Sequence, residues 1–175
     1  MKKYFGAVLL LLIVAASACD SLDERFVFYI NKKADLQVTP GTPVGTVTEL
    51  GPTTIVTNAD TTFMQNHTRA ELVQDITLDK FGLTIADTVV REFGFLESVD
   101  VYMSAEELDE VRVAFLERVA ENDTILTLNL TNTKLDEYLK KEAYTIHTRA
   151  RLRKAVPKDL KLEAEIRFKV IADPI

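Results

Sequence analysis

The clearest pattern in the chain lies near its end. Tyr144, Ile146, Thr148, Ala150 and Leu152 share one parity, and Thr145, His147, Arg149, Arg151 and Arg153 share the other. After Pro157, Lys158 and Asp159, a second run alternates Leu160, Leu162, Ala164, Ile166, Phe168 and Val170 with Lys161, Glu163, Glu165, Arg167 and Lys169. Successive side chains of a strand point to opposite faces, so a period of two marks strands with one buried and one wet face. The two runs predict an antiparallel hairpin, with Arg149 opposite or close to Glu163 or Glu165. Opposite charges facing each other across strands contribute about 0.2–1 kcal/mol per pair.

The same reading extends upstream. Residues 26–30 predict a first strand, with 35–38 as its continuation. Pro40, Gly41, Pro43, Gly45, Gly51 and Pro52 mark a loop or irregular edge. Residues 53–57 are a β-rich run. Thr68 followed by Glu71 is a capping-box pattern that predicts a short helix start. Ile76, Leu78 and Lys80 then change phase to Phe81, Leu83 and Ile85, which predicts a bulge inside a long strand. Val99, Val101 and Met103 alternate with polar neighbours. Ser104 with Glu107 repeats the capping-box pattern and predicts a single helical turn. Residues 111–115 and 125–130 read as further strands, and Thr133 with Asp136 as the cap of a short helix through Lys141.

These elements predict an all-β fold: a single antiparallel β-sandwich of about seven to eight strands with one to three short helices. A small closed barrel satisfies the same pattern. Thr, Val, Ile, Phe and Tyr favour strands, in keeping with either. The apolar residues 89–96 predict a segment that enters a strand and plugs the sandwich end.

The start of the chain follows different rules. Lys2 and Lys3 precede an unbroken apolar run over residues 8–14, and Ala16, Ser17 and Ala18 lead directly to Cys19, the only cysteine. A charged end, an apolar middle and small residues at a cleavage point are the layout of a secretory signal. The apolar stretch is about ten residues, against the roughly twenty needed to span a bilayer. The approach to Cys19 resembles a bacterial lipobox, in the looser form found in Bacteroidota, since Ala16 stands where Leu is usual. That resemblance implies cleavage before Cys19, a diacylglycerol on its thiol and an acyl chain on the new amino group. Residues 20–24, Asp-Ser-Leu-Asp-Glu, resemble the acidic surface-export signal of Bacteroidota lipoproteins, interrupted by Leu22. The implied location is the outer membrane, lipid-anchored, with the cell surface favoured over the periplasmic side. The layout as a whole resembles poorly characterised β-sandwich lipoproteins of Bacteroidota.

The resemblance implies a cleaved signal peptide at 1–18 and a lipidated tether at 19–25, and the strand pattern predicts a β-sandwich domain at 26–175. Acylation of Cys19 leaves no thiol for a disulfide or a Cys-ligated metal. The net charge of -6 argues against nucleic acid as a partner. Asp20-Ser21-Leu22, Asp60-Thr61-Thr62, Asp87-Thr88-Val89 and Asp123-Thr124-Ile125 resemble the Bacteroidota O-glycosylation motif. That implies modification at Ser21, Thr61, Thr88 and Thr124. Ordinary Asx-turn and strand-entry chemistry accounts for the same triplets.

Candidate chemistry is sparse. His67 and His147 lack metal-ligand spacing, so no metal is expected. Ser21, Ser98 and Ser104 are the serines after the signal, and none sits in a G-x-S-x-G context. Gly41, Gly45 and Gly51 lack the lysine of a phosphate loop. Glu106, Glu107, Asp109 and Glu110 read as a solvated turn. The basic strand face formed by His147, Arg149, Arg151 and Arg153 is a candidate patch for an anionic ligand, since guanidinium forks suit phosphate. Salt bridges to Glu163 and Glu165 are the competing use of those side chains. The expected function is a non-enzymatic envelope lipoprotein, without cofactor, that works through contacts with other envelope proteins as an accessory or assembly subunit. The alternative is a glycan- or lipid-binding module.

Overall fold

The computed structural model describes residues 25–87 and 89–175. Cys19, Ser21 and Thr88 lie outside the described residues, as does the predicted signal peptide. The described chain forms ten strands: β1 (Phe26–Val38), β2 (Val47–Glu49), β3 (Thr53–Val56), β4 (Val73–Ile85), β5 (Leu96–Ala105), β6 (Leu108–Leu116), β7 (Ile125–Thr127), β8 (Asn129–Leu130), β9 (Ala143–Leu152) and β10 (Leu160–Ala172). Two short helices, α1 (Ala59–Gln65) and α2 (Asp136–Lys140), and one 3₁₀ turn at Ala70–Leu72 interrupt them. The strands form two antiparallel sheets. One has the order β1-β10-β4-β7; the other has the order β2-β9-β5-β6-β8, with β3 also on the free edge of β9.

The fold is the predicted sandwich, with more strands than expected because several are only two to four residues long. Residues 125–130 are not one strand. Leu126 pairs with Leu83 in the first sheet, buried Leu128 makes the crossing, and Leu130 pairs with Ala114 in the second. That crossing closes one side of the sandwich. Lys32 helps close the other: its stem lies on the inner side of β1 and its Nζ donates to the carbonyls of Val56 and Thr57 at 3.0 and 3.1 Å. Thr53 adds a hydroxyl bond to the Asp35 carbonyl at 3.1 Å. Side-chain donors thus tie the edges of the two sheets together, covering backbone that an open edge would expose.

The predicted β9–β10 hairpin does not form. β9 pairs with β5, β2 and β3, whereas β10 pairs with β1 and β4. The two strands instead face each other across the core, where Tyr144 meets Phe168 edge-on at 5.8 Å between ring centroids. Strict alternation is satisfied equally by strands side by side and by strands on opposite sheets, because either arrangement buries one face. The connection decides between them. Residues 153–159 are longer than the two to five residues usual in hairpins, and they bridge sheets stacked about 10 Å apart. Backbone N–H groups of Arg153 and Lys154 donate to the Phe95 carbonyl and hold that crossing.

The core lies between the inner faces. Phe63, Phe81, Phe93, Tyr144, Phe168, Ile76, Leu83, Met103 and Leu126 are fully buried. Each such side chain contributes about 1.5–3 kcal/mol through removal from water. Phe93, Phe95 and Leu96 are buried at the sandwich end, where β5 begins, while Val89 stays exposed. The phase change in β4 is a bulge: Lys80 pairs with Arg167 and Leu78 with Phe168, leaving Asp79 as the extra residue.

Both capping-box expectations near Thr68 and Ser104 fail. Thr68 is fully buried, and its hydroxyl donates to the Asp173 carbonyl at 2.8 Å, so only a 3₁₀ turn follows. Ser104 lies within β5, and Glu107 takes a positive φ of 61° in the turn that joins β5 to β6. A left-handed residue there closes a hairpin and cannot continue a right-handed helix. The Asp136 helix does form, as α2, with Leu135 as its cap residue. The Asp136 carboxylate bonds the Ile76 N–H, which locks α2 to β4.

Candidate functional site

The outer face of the six-stranded sheet gathers most of the polar side chains singled out in the sequence. Alternation along β9 turns Thr145, His147, Arg149 and Arg151 outward, half-buried, while Tyr144, Ile146, Thr148, Ala150 and Leu152 are buried. β5 presents Asp100, Tyr102 and Ser104 on the same side, because Asp100 is the partner of Arg149, Tyr102 of His147 and Ser104 of Thr145. On the far edge, Glu49 of β2 is the partner of Arg149, and Thr54 of β3 is the partner of Thr145. Between β2 and β3 the edge breaks. Gly51 sits there at a φ of 93°, a conformation that L side chains rarely adopt, and Leu50 N–H donates to the Thr148 carbonyl. The break leaves His147 without a strand residue opposite it on that side, and the Glu49 side chain turns toward the imidazole.

His147 is held from both ring nitrogens. Nδ1 lies 2.8 Å from Glu49 Oε1, and Nε2 lies 2.9 Å from Ser104 Oγ. Glu110 of β6 stands 3.9 Å from Nδ1 and pairs with Arg149 at 2.6 Å. The Arg149 guanidinium also lies over the Tyr102 ring, 4.3 Å from its centroid. The hydrogen bond that Arg149 donates to Glu110 leads the effects that raise the Arg149 pKa further above its ordinary value, so the guanidinium stays charged. Alongside it, Arg112 bonds Asp100 and covers the Phe115 ring at 4.1 Å. Beyond Ser104, the row continues through Thr145 to Thr54, whose hydroxyl oxygens are 3.1 Å apart.

The basic patch is therefore only partly one surface. His147, Arg149 and Arg151 share the face, but Arg153 lies beyond β9 and donates to the Val119 carbonyl at 3.0 Å, with Glu121 at 4.0 Å. Arg151 donates to the Gly45 carbonyl at 3.0 Å. The predicted partners of Arg149 are wrong. Glu163 and Glu165 lie in the other sheet, where Glu165 meets Lys80, and the carboxylate that takes Arg149 is Glu110. Of the other candidates, Thr61 is exposed in α1 rather than in a loop, and Thr124 is exposed in the bend before β7. His67 lies at a positive φ of 55° after α1, far along the chain from this network.

Sequence reasoning missed Glu49, Ser104, Glu110 and Tyr102 as members of one cluster. No local spacing signals it, because its parts come from four strands. Chemically, a ring nitrogen held by a carboxylate while the other faces a hydroxyl is the geometry of a base with an orienting group. Among the described residues, no group of three or more His, Cys, Asp or Glu side chains could hold a metal ion. No helix among them is long and apolar enough to cross a membrane.

No known family model matches the chain. A search of curated proteins finds no match either. Among solved structures, the chain is similar to a decameric BFDV capsid protein at 8% identity, covering 84% of this chain and 99% of that one, with a TM-score of 0.34. Likeness at that level carries no argument about function.

Proposed function

We propose that this protein is a lipid-anchored envelope protein of the outer membrane, exposed at the cell surface, whose sandwich works through contacts with other envelope proteins. The observation that carries the reading is Cys19 itself, placed directly after a charged, apolar and small-residue leader. Three acyl chains on one N-terminus hold a protein firmly, whereas a single chain binds only marginally. β1 begins at Phe26, so few residues separate the anchor from the fold. At no more than about 3.5 Å per residue, those residues keep the start of β1 within roughly 25 Å of the bilayer surface. Exposed Val27 and Tyr29 on the outer face of β1, together with Met64 and Ile175, offer apolar area for such contacts.

Palmitate labelling in cells tests the anchor: incorporation is expected in the wild type and lost in Cys19→Ser. Protease shaving of intact cells tests the surface location, which predicts release of sandwich peptides. Affinity capture from detergent-solubilised membranes tests the contacts. Recovery of a reproducible envelope partner supports an accessory role, and recovery of the bait alone contradicts it.

A further inference from the structure

We propose that Ser104 is an activated nucleophile, with His147 as its base and Glu49 as the group that orients that base, and that the site takes the acyl group of small carboxylic esters. The inference adds a chemical activity to a chain whose sequence predicts none. It stands independently of the anchor.

The hydrogen bonds fix the direction of proton flow. An ionised carboxylate only accepts, so Glu49 Oε1 at 2.8 Å requires the hydrogen of a neutral imidazole to sit on Nδ1. Nε2 then carries the lone pair, and at 2.9 Å from Ser104 Oγ it accepts the hydroxyl hydrogen. That is the tautomer in which a histidine works as a base on a serine. Three strands supply the parts, Glu49 from β2, Ser104 from β5 and His147 from β9, and strand pairing holds their spacing. When His147 takes up the proton it gains a positive charge. Glu49 and, at 3.9 Å, Glu110 stabilise that charge. Arg149 and Tyr102, the other groups facing this cluster, hold Glu110 in place from beside the ring.

The site lies on the outer face of the sheet, with Ser104 and His147 half-buried. Small esters fit such a face. Their alcohols are also better leaving groups than amines, which suits a site whose oxyanion donors are side chains. Thr145, the cross-strand partner of Ser104, brings a hydroxyl to the same face, 3.1 Å from the Thr54 hydroxyl, as a donor of this kind.

In the first step, Ser104 Oγ bonds to the ester carbonyl carbon while its proton moves to His147 Nε2. The bond from that carbon to the alkoxy oxygen then breaks, and the alcohol leaves with the proton from Nε2. In the second step, water adds to the acyl carbon and gives a proton to Nε2. The bond to Oγ breaks, Oγ recovers that proton, and the acid is released. The sum is ester plus water to acid plus alcohol.

The test uses the purified full-length chain with a fluorophosphonate probe and p-nitrophenyl acetate. Mass spectrometry is expected to place the phosphonyl group on Ser104. Ser104→Ala, which removes only one outer-face oxygen, should lose both the label and the ester turnover. His147→Gln should slow labelling about 100-fold or more, in the range general-base removal costs. Glu49→Gln should slow it about 10-fold and alter the pH profile, a change that a merely structural role would not produce. Wild-type protein that takes no label, takes it elsewhere, or labels at an unchanged rate in His147→Gln would overturn the proposal. None of these outcomes bears on lipidation of Cys19.

Discussion

On the outer face of the four-stranded sheet, Lys161 meets Asp35 at 2.9 Å and Lys80 meets Glu165 at 3.2 Å, with side chains 42–65% exposed. On the outer face of the six-stranded sheet, Arg149 and Glu110 are 34% and 30% exposed, and His147 is 20% exposed. Both faces arise from strands that alternate apolar and polar residues, with similar charged residues. The difference comes from what stands beside the charges. Tyr102 and Phe115 lie under guanidinium groups on the larger sheet, and two register shifts between β5 and β6 re-aim the neighbouring side chains. On the smaller sheet, Arg167 lies over Tyr29 at 5.3 Å and pairs with Asp79 alone among the described residues. On the larger sheet, Glu110 lies between Arg149 and His147, and Glu49 also holds His147, so four side chains join into one network.

The largest effect is expected where the two sheets are closed together. A Cβ on Gly94 would meet the Glu121 carbonyl oxygen at 2.8 Å, and both are backbone-anchored, so neither can give way cheaply. Gly94→Ala should cost about 1–3 kcal/mol in urea unfolding, as overpacking does. A loss below about 0.5 kcal/mol would mean that the end loops move freely and that the two faces are less rigidly joined than the packing indicates.

Next comes a direct contrast of the faces. Arg149→Ala leaves the Glu110 carboxylate without its partner and uncovers Tyr102, so a loss of about 1–2 kcal/mol is expected. Lys161→Ala should cost less than about 0.5 kcal/mol, the usual scale for an exposed pair. Double-mutant cycles sharpen the contrast, since they isolate the pairwise coupling. In about 1 M salt, where screening acts over roughly 3 Å, the Asp35–Lys161 coupling should vanish and the Glu110–Arg149 coupling should persist. Equal losses on both faces would mean that the Tyr102 ring and the Glu110 network add nothing to the Arg149 pairing.

The smallest effect concerns a pair outside both faces. Lys158 bonds Asp87 at 2.8 Å, and that bond, followed by the N–H groups of Val90 and Val89, holds the Asp87 pKa down to about 2. A carboxylate whose folded value is depressed stabilises the fold above its ordinary range and loses that contribution as pH falls toward about 2. An NMR titration should place its midpoint near 2, and Lys158→Ala should move it upward. An unmoved midpoint would contradict the assigned cause.

Much of the fold was legible in the sequence, because burial on one side of a strand leaves a period of two. That period alone carries the runs at 144–152 and 160–170 and the phase change between Lys80 and Phe81, while only the register with β10 shows that Asp79 is the extra residue. It does not carry the pairing of the runs. Alternation says which face is buried and nothing about which sheet a strand joins, although the length of 153–159 carried a hint. α1 leaves little signal in the sequence because Asn58 caps it in a left-handed conformation without a side-chain bond, and Thr61 and Thr62 are indifferent helix formers. The cluster at His147 was illegible for a different reason. Glu49, Ser104 and His147 are remote in sequence, and only the pairing of β2 and β5 with β9 brings them together.

The tautomer of His147 tests that cluster most directly. ¹⁵N NMR of the imidazole, above the pH at which the ring is protonated, reads which nitrogen carries the hydrogen. Hydrogen is expected on Nδ1, bonded to Glu49, with a bare Nε2 accepting from Ser104, and that preference should weaken in Glu49→Gln. Hydrogen on Nε2 in the wild type would make Ser104 an acceptor and contradict its activation.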